Sequence, residues 1–445
     1  MGSADLLIKN GEVLTSGGMK RVGIAIHGER ILAIDMENNL PPCAEEIDAI
    51  GKIVIPGFID THSHFREPGY THKEDWESGS KAAAGGGVTM AVAMPNTDPP
   101  PRTLEVYKQH IEIAKRKSVV DFSQWAMPTV REEIPKIASF GAVGFKFFMK
   151  SAHYPYGSEI SIIDDAEILY TLKEIAKTGL PVAVHPNTQA IWEYKVKKWT
   201  EEGKTGLMAF NEVYYGDHDI NNTLAISKMV LIANAVGARL RTLHIQGRDQ
   251  FRIVKALKAA GYRFTAEANP WGIFALDPIT ITGAEEEYWQ ALNDGTIDII
   301  GTDHAPHTKE DYEETLKNVF ESVTAVHPLI EHYMSMFLTE VNKGRISLER
   351  LSELCSSAVA KHLGIYPRKG VIQVGSDADL AIVDMKRKKI LGKDYPVYSK
   401  TGFTPWEGKE VQGIPIYTIV RGKVVMKNGE ILPKPGYGEF IRPTK

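Results

Sequence analysis

Two histidines separated by one residue, His62 and His64, form the most suggestive chemical motif of the chain, in the segment DTHSH. Because alternate residues of a β-strand project to the same side, both imidazoles can bind one cation. Neutral imidazoles and carboxylates suit Zn²⁺ at about 2.0–2.2 Å per bond, and a catalytic zinc site keeps one position open for water. Alone, however, an H-x-H motif is a weak indication of a metal site.

Three further candidate ligands end apolar runs downstream. His185 ends PVAVHP, His244 ends LRTLHI, and Asp303 ends IDIIGTDHA. A single histidine at a strand end is more often a packed or capping residue than a ligand. Five candidates at the ends of four runs are a stronger signal and predict a metal-dependent catalytic site. We interpret the histidines elsewhere as surface or core residues: His27, His72, His110, His218, His327, His332 and His362.

These candidates can form one site only if their strands end at the same edge of a sheet. The pattern of the central part of the chain predicts such strands. Eight short apolar runs alternate with amphipathic stretches: 57–62, 89–95, 119–127, 143–149, 181–186, 240–245, 263–269 and 297–305. The alternation is typical of β/α units around a parallel sheet, and eight units predict a closed (β/α)8 TIM barrel, an α/β fold with its site at the carboxyl ends of the strands. An open doubly wound sheet would need a G-x-G-x-x-G turn, and none occurs.

The two ends of the 445-residue chain have a different texture. The first fifty residues and the last seventy-five contain short alternating runs with tight turns, such as Arg421-Gly422 and Asn428-Gly429. Such runs are typical of antiparallel strands. The ends therefore predict small all-β units that flank the barrel.

Composition excludes several kinds of partner. Lysine and arginine total 52, and aspartate and glutamate total 56, for a formal net charge of −4. Nucleic acid and anionic membrane surfaces favour clustered basic charge, so we expect neither as a partner. Cys43 and Cys355 are the two cysteines and build neither a disulfide framework nor a thiolate zinc site. Without a recognisable secretory signal or a run of ~18 apolar residues, we expect a cytoplasmic protein.

The motifs together resemble the amidohydrolase superfamily, and within it the cyclic-amide hydrolases: dihydroorotase, allantoinase, hydantoinase and dihydropyrimidinase. The resemblance spans nearly the whole chain and is carried by PGFIDTHSHFREPG, GFKFFM, VAVHPNTQA, TLHIQG, GTDHAPHT and GSDADLAIVD. It implies that residues 1–54 and 366–445 form one small β-sandwich domain and that residues 55–365 form the barrel. It also implies a homo-oligomer, a dimer or a tetramer.

The resemblance further implies two divalent metal ions, for which we expect zinc. Their protein ligands would be His62, His64, His185, His244 and Asp303, with Lys146 bridging the pair. A lysine ammonium has donors and no acceptor, and the family solves this by carboxylation with CO₂ to an anionic carbamate. The apolar setting of Lys146 in FKFF would lower its pKa and supply the neutral amine. The alternative is a lysine that extends to solvent, with Lys150 equally available.

The implied reaction is hydrolysis of a ring amide. In the family, two metals lower the pKa of a bridging water and polarise the scissile carbonyl. Asp303 would take the proton of the nucleophile and pass it to the leaving nitrogen.

Three residues bear on the choice of ring. Arg66 and Asn96 match the residues that bind the substrate carboxylate in dihydroorotases, and His307 is a further candidate contact. A guanidinium is a planar fork suited to a carboxylate. These matches favour a dihydroorotase, which interconverts dihydroorotate and N-carbamoyl-aspartate in pyrimidine biosynthesis. The alternative is that Arg66 pairs with Glu67 or caps a loop.

Two departures keep other functions open. After the seventh run the chain has ANPWGIF and then DPITITGAEEEYW, where dihydroorotases carry a His-rich turn and an Asn-Pro-Pro-Leu-Arg-like segment. Aromatic residues at 151–159 and 201–221 allow either a lid for another ring or simple packing. A relative that opens allantoin, a hydantoin or a dihydropyrimidine is the second hypothesis. A non-catalytic, partner-binding relative is the third, although all six ligand positions are filled.

Overall fold

The computed structural model describes residues 3–150, 160–274, 284–321 and 328–444. Within these ranges the amino-terminal strands are β1 (Ala4–Lys9), β2 (Glu12–Thr15), β3 (Gly18–Arg21), β4 (Gly23–His27), β5 (Arg30–Asp35), β6 (Cys43–Asp48) and β7 (Ile53–Pro56). The central strands are β8 (Phe58–Ser63), β9 (Val88–Ala93), β10 (Asp121–Gln124), β11 (Phe145–Phe148), β12 (Pro181–His185), β13 (Arg239–Thr242), β14 (Thr265–Ala268) and β15 (Ile299–Ile300). The carboxyl-terminal strands are β16 (Leu380–Ile390), β17 (Glu410–Val420), β18 (Lys423–Lys427) and β19 (Glu430–Ile431).

The central strands close into a ring. Strands β8–β10 pair in parallel in one sheet, and β11–β15 pair in parallel in a second sheet. Parallel bridges between Ala126 and Phe145 and between Ser63 and His304 join the two sheets at both edges. The ring is the predicted (β/α)8 barrel, and the fold class is confirmed.

The predicted eighth run is much longer than the strand that forms. β15 contains Ile299 and Ile300, whereas the apolar run extends over 297–305. A Cβ at Gly301 would lie 2.8 Å from a carboxylate oxygen of Glu267 and 2.9 Å from the Cβ of His62, so a glycine is needed at this close approach. Two residues later, Asp303 has a left-handed backbone with φ of 52°, which turns the chain away from the strand direction.

Helices lie between the barrel strands, as the amphipathic stretches predict. In the described ranges they are α1 (Trp76–Gly85), α2 (Leu104–Lys117), α3 (Ile134–Phe140), α4 (Asp165–Thr178), α5 (Gln189–Glu201), α6 (Leu207–Val236), α7 (Arg248–Ala259), α8 (Trp271–Phe274), α9 (Glu285–Asn293), α10 (Lys309–Lys317), α11 (Tyr333–Asn342), α12 (Leu348–Ser352) and α13 (Ala358–Leu363). Helix α2 illustrates the local cause, because Thr103 caps it and Tyr107, Ile111 and Ala114 form its buried face. Among the described helices, none is both long and apolar enough to cross a membrane.

Strands from both ends of the chain share one sheet. The seven-stranded sheet has the order β19-β18-β17-β16-β7-β2-β3, and its centre is the antiparallel pair of β7 with β16. A four-stranded sheet, β5-β4-β1-β6, packs against it through a common apolar core that includes Ile8, Ile24, Val54 and Ile382. The boundaries predicted for the two domains, 1–54 with 366–445 and 55–365, stay a prediction.

A buried lysine connects the barrel to the terminal sheets. The Nζ of Lys369 lies 2.6 Å from a carboxylate oxygen of Asp121 in β10, 2.6 Å from Asp379 and 3.1 Å from Asp377. Arg421 also donates to Asp121, at 3.0 Å. The three carboxylates are close enough together to hold a metal ion, but the ammonium of Lys369 already lies among them. We interpret this cluster as structural.

Replacing Lys369 should destabilise the protein strongly. Lys369→Met leaves buried carboxylates without their cation, and removing one partner of a buried ion pair costs about 3–5 kcal/mol. The matched control is Lys388→Met, which removes an exposed lysine paired with Glu410 and should cost at most about 1 kcal/mol. Denaturant unfolding of both variants measures the difference. Equal free energies of unfolding in the two variants would contradict a structural role for the cluster.

Candidate metal centre

The two histidines at the carboxyl end of β8, His62 within the strand and His64 directly after it, meet the aspartate that follows β15. The Nε2 atom of His62 lies 3.1 Å from Oδ1 of Asp303, and the Nε2 atom of His64 lies 3.2 Å from the same oxygen. Both imidazoles are buried, at 2% and 4% exposure, whereas the side chain of Asp303 is 15% exposed. The barrel closure thus brings three of the predicted ligands together around one point.

The hydrogen-bond partners of the two Nδ1 atoms determine whether the Nε2 atoms present a lone pair or an N–H group to Asp303. Nδ1 of His62 lies 2.6 Å from Oε1 of Glu267, and Nδ1 of His64 lies 2.5 Å from Oδ1 of Asn96. Both oxygens are acceptors, so each Nδ1 carries the hydrogen and each Nε2 directs a lone pair at Asp303. Burial lowers the pKa of His64 to about 3, so its imidazole is neutral at pH 7. Converging electron pairs of this kind fit a bound cation.

His185 and His244 extend the cluster. Nδ1 of His185 lies 2.8 Å from Nε2 of His244, and the two ring centroids are 4.5 Å apart. The ring of His244 also lies 6.0 Å from the ring of His62, so the four histidines form a continuous row. Burial lowers the pKa of His244 to about 3 and holds the pKa of His185 well below its usual value. Both imidazoles are therefore neutral and able to act as ligands.

Lys146 in β11 is the buried amine of this region. Its Nζ has no hydrogen-bond partner among the described residues and lies 4.3 Å from the ring centroid of Phe148. Burial holds the pKa of Lys146 well below the ordinary lysine value. Burial thus favours the neutral form of an amine that has no hydrogen-bond partner among the described residues, and this fits the chemistry that carboxylation by CO₂ requires.

Lys150, the alternative lysine, has other contacts. Its Nζ lies 2.5 Å from the hydroxyl of Tyr214 and 4.5 Å from the ring centroid of Trp192. Tyr214 packs in an aromatic cluster with Trp192, Phe210 and Phe320. These aromatic side chains of the 201–221 segment therefore pack, as one of the two interpretations expected. Residues 151–159, which contain the other aromatic loop, lie outside the described residues, as do His327 and residues 275–283.

Arg66 and His307 contact each other. Nη2 of Arg66 lies 2.8 Å from Nε2 of His307, and its Nε donates to the carbonyl of Pro306 at 3.2 Å. The other ring nitrogen of His307 lies 3.1 Å from Nζ of Lys73. Glu67 accepts instead from Lys117 and from the backbone N–H of Trp76. Of the two alternatives for Arg66, the described contacts therefore show a bond to a loop carbonyl, that of Pro306, and not the pair with Glu67.

The two polar atoms of the Asn96 amide are in different situations. Its Oδ1 accepts from His64, which orients the amide. Its Nδ2 is buried and has no hydrogen-bond partner in the described part of the chain. A buried donor of this kind is costly unless a ligand accepts from it.

Three site residues have left-handed backbones, with φ of 60° at Arg66, 42° at His244 and 52° at Asp303. Non-glycine residues adopt this region rarely, and such strain is concentrated at functional sites. Each of the three lies two or three residues beyond the end of its strand, which is β8, β13 or β15.

Two charged residues of the site were not predicted from the sequence. Glu267 in β14 binds His62, and Arg241 in β13 donates to Glu267. Both side chains are fully buried. The sequence signal that could have identified them is a charged residue inside a short strand, in TAEA for Glu267 and in RLRT for Arg241.

Comparison with known proteins identifies relatives that match nearly the whole chain. The profile described as "Amidohydrolase family" matches residues 53–425. An L-hydantoinase of Paenarthrobacter aurescens is 30% identical over 457 residues, covering 98% of this chain and 98% of that protein. A dihydroorotase of Lactobacillus helveticus is 30% identical over 444 residues, covering 95% of this chain and 99% of that protein. The solved structure titled L-hydantoinase (dihydropyrimidinase) from Arthrobacter aurescens has a TM-score of 0.91 at 31% identity, covering 99% of this chain and 100% of that one.

Zinc should stabilise the folded protein through this cluster. A ligand that binds only the folded state stabilises it by about 2.7 kcal/mol at 100 times its Kd, so Zn²⁺ added to metal-free protein should raise the Tm. The double variant His62→Ala/His64→Ala should lose most of that rise. His218→Ala, which removes an exposed imidazole, should keep it. The readout is differential scanning calorimetry, and an undiminished rise in the double variant would locate the zinc elsewhere.

Proposed function

The chain belongs to the amidohydrolase family, and from that premise we propose that it hydrolyses a C–N bond of a cyclic amide at a two-metal centre. The observation that carries the proposal is the convergence of His62, His64 and Asp303 on one point, where the Nδ1 atom of each histidine already faces an acceptor oxygen and leaves Nε2 as a lone-pair donor. A purely structural cluster of this burial would be expected to pair donors with acceptors. The inward lone pairs therefore support a metal site.

The proposed ligand set contains six residues. The protein would hold the two metals with His62, His64, His185, His244, Asp303 and carboxylated Lys146. Neutral imidazoles with carboxylates support zinc. The absence of any hydrogen-bond partner for the Lys146 amine among the described residues supports its carboxylation. The filled ligand positions argue against the non-catalytic alternative.

Asp303 is the proposed catalytic base. When bound, the metals would lower the pKa of a water and polarise the amide carbonyl. Asp303 is the most exposed member of its trio, so its carboxylate is the one that a substrate reaches first. We assign its Oδ2 to hold the proton of the nucleophile and to return it to the leaving ring nitrogen.

The proposed substrate is an acidic ring, with dihydroorotate as the leading candidate. The guanidinium of Arg66 contacts the carbonyl of Pro306 and Nε2 of His307, in the segment that directly follows Asp303, so it lies near the proposed ligands. The buried Nδ2 of Asn96 supplies a second donor beside the same histidine. A cation and an amide donor favour a carboxylate. We assign His307 to holding Arg66, because its Nε2 contacts the guanidinium.

A hydantoin is the second candidate. The solved L-hydantoinase structure superposes with a TM-score of 0.91. In addition, the segment after β14 has Trp271-Gly272-Ile273-Phe274 where the dihydroorotase pattern is lost. These two observations make a hydantoin the alternative to the acidic ring.

Asp303→Asn should separate metal binding from turnover. The amide retains an oxygen ligand but cannot hold the proton, so kcat should fall by about 10²–10⁴-fold while much of the zinc remains bound. Asp165→Asn, at an exposed carboxylate paired with Lys228, is the control. Steady-state kinetics together with elemental analysis give the two readouts. A fully active Asp303→Asn protein would exclude Asp303 as the base.

A substrate panel should discriminate between the two rings. Zinc-loaded protein is tested with dihydroorotate, allantoin, hydantoin, 5-substituted hydantoins and dihydrouracil, each followed for ring opening. For dihydroorotate, Arg66→Gln should reduce kcat/KM by about 10–100-fold, since hydrogen bonds to charged groups contribute about 1.5–3 kcal/mol. The exposed Arg252→Gln should leave it unchanged. Turnover of an uncharged ring with inert dihydroorotate would refute the acidic substrate but not the cyclic-amide reaction.

A further inference from the structure

A buried ion pair lies behind one of the proposed metal ligands. Oε1 of Glu267 accepts from Nδ1 of His62 at 2.6 Å, and Oε2 of the same carboxylate accepts from Nη2 of Arg241. Arg241 also donates to the hydroxyl of Thr61 and lies over the ring of Trp125, at 5.5 Å. The pair thus connects β13 and β14 to the metal-facing end of β8.

The pair is enclosed inside the barrel. The side chains of Glu267 and Arg241 are fully buried. Burial lowers the pKa of Arg241 to about 9, which still leaves the guanidinium charged at pH 7. Replacing such a pair with apolar residues is often neutral or stabilising in other proteins, so the pair is weak evidence for stability. A contribution to the function of His62 is the alternative explanation.

The carboxylate determines the orientation of His62. Because Glu267 is an acceptor, the hydrogen of the imidazole must be on Nδ1, and the lone pair of Nε2 faces Asp303. Gly301 makes the contact possible, because a Cβ there would lie 2.8 Å from Oε2 of Glu267. His64 differs, since its Nδ1 contacts the neutral amide of Asn96. Of these two ligands, only His62 is held by an anion.

We propose that Glu267, held in place by Arg241, is a positioning residue that orients His62 for metal binding and strengthens its binding to the metal. A carboxylate behind a ligating histidine fixes the ring tautomer and raises the basicity of the ligand. The proposal rests on the proposed function, because it takes His62 to be a ligand.

Zinc affinity, measured by competition with a chromophoric chelator, tests the proposal. Glu267→Gln is nearly isosteric and removes the charge, and it should bind zinc about 10–100-fold more weakly than the parent. Arg241→Gln should also weaken binding, and the double variant should bind no more weakly than Glu267→Gln, because Arg241 acts through Glu267. Asp121→Asn is the matched control, since it neutralises another fully buried carboxylate that contacts cations, in β10. It should retain the affinity of the parent, even if its Tm falls.

A second variant keeps the test decisive if Glu267→Gln does not fold. Glu267→Asp retains the charge but withdraws the carboxylate from His62 by one methylene, and it should also weaken zinc binding. The Co²⁺-substituted proteins add a signature, because a reoriented His62 should shift the visible absorption bands. Parental affinity in folded Glu267 variants, or an equal loss in Asp121→Asn, would overturn the proposal. Parental affinity in His62→Ala would instead refute the ligand assignment of the proposed function.

Discussion

The seam between the first and last barrel strands is the interaction on which the site depends. The backbone N–H of His64 donates to the carbonyl of His304 at 2.7 Å, and the N–H of His304 donates to the carbonyl of His62 at 3.1 Å. Asp303 is therefore held between the two histidines by main-chain hydrogen bonds. Asp60 strengthens the seam, since it accepts from both the N–H and the hydroxyl of Thr302. The hydrogen bonds that close the barrel are therefore the same ones that bring His62, His64 and Asp303 together.

Two buried lysines, Lys369 and Lys146, differ in their roles because their hydrogen-bond partners differ. Lys369 lies among three aspartates, and these contacts raise its pKa beyond the ordinary value in spite of burial. Lys146 is equally buried but has no hydrogen-bond partner among the described residues, and burial lowers its pKa. The first lysine is a permanent cation that connects two parts of the fold. Burial of the second favours the neutral amine, which is the form that reacts with CO₂.

Under the proposed function, ring opening and the choice of ring depend on different parts of the site. The ligand cluster is built from strand ends, and the barrel determines its geometry. Arg66 and His307 belong to segments that leave the barrel after β8 and β15, and they contact each other across the seam. Relatives named hydantoinase and dihydroorotase, each about 30% identical over nearly the whole chain, are consistent with one reaction centre and variable substrate contacts.

Local sequence patterns determined much of the fold and the proposed ligands. The apolar runs predicted the eight strands, the amphipathic stretches predicted helices between them, and the H-x-H spacing indicated His62 and His64. These features depend on residues close together in the chain. The contact of Glu267 with His62 joins residues 205 positions apart, and the left-handed turn at Asp303 ends β15 early. Only the tertiary structure decided these features, because they depend on which strands become neighbours when the barrel closes.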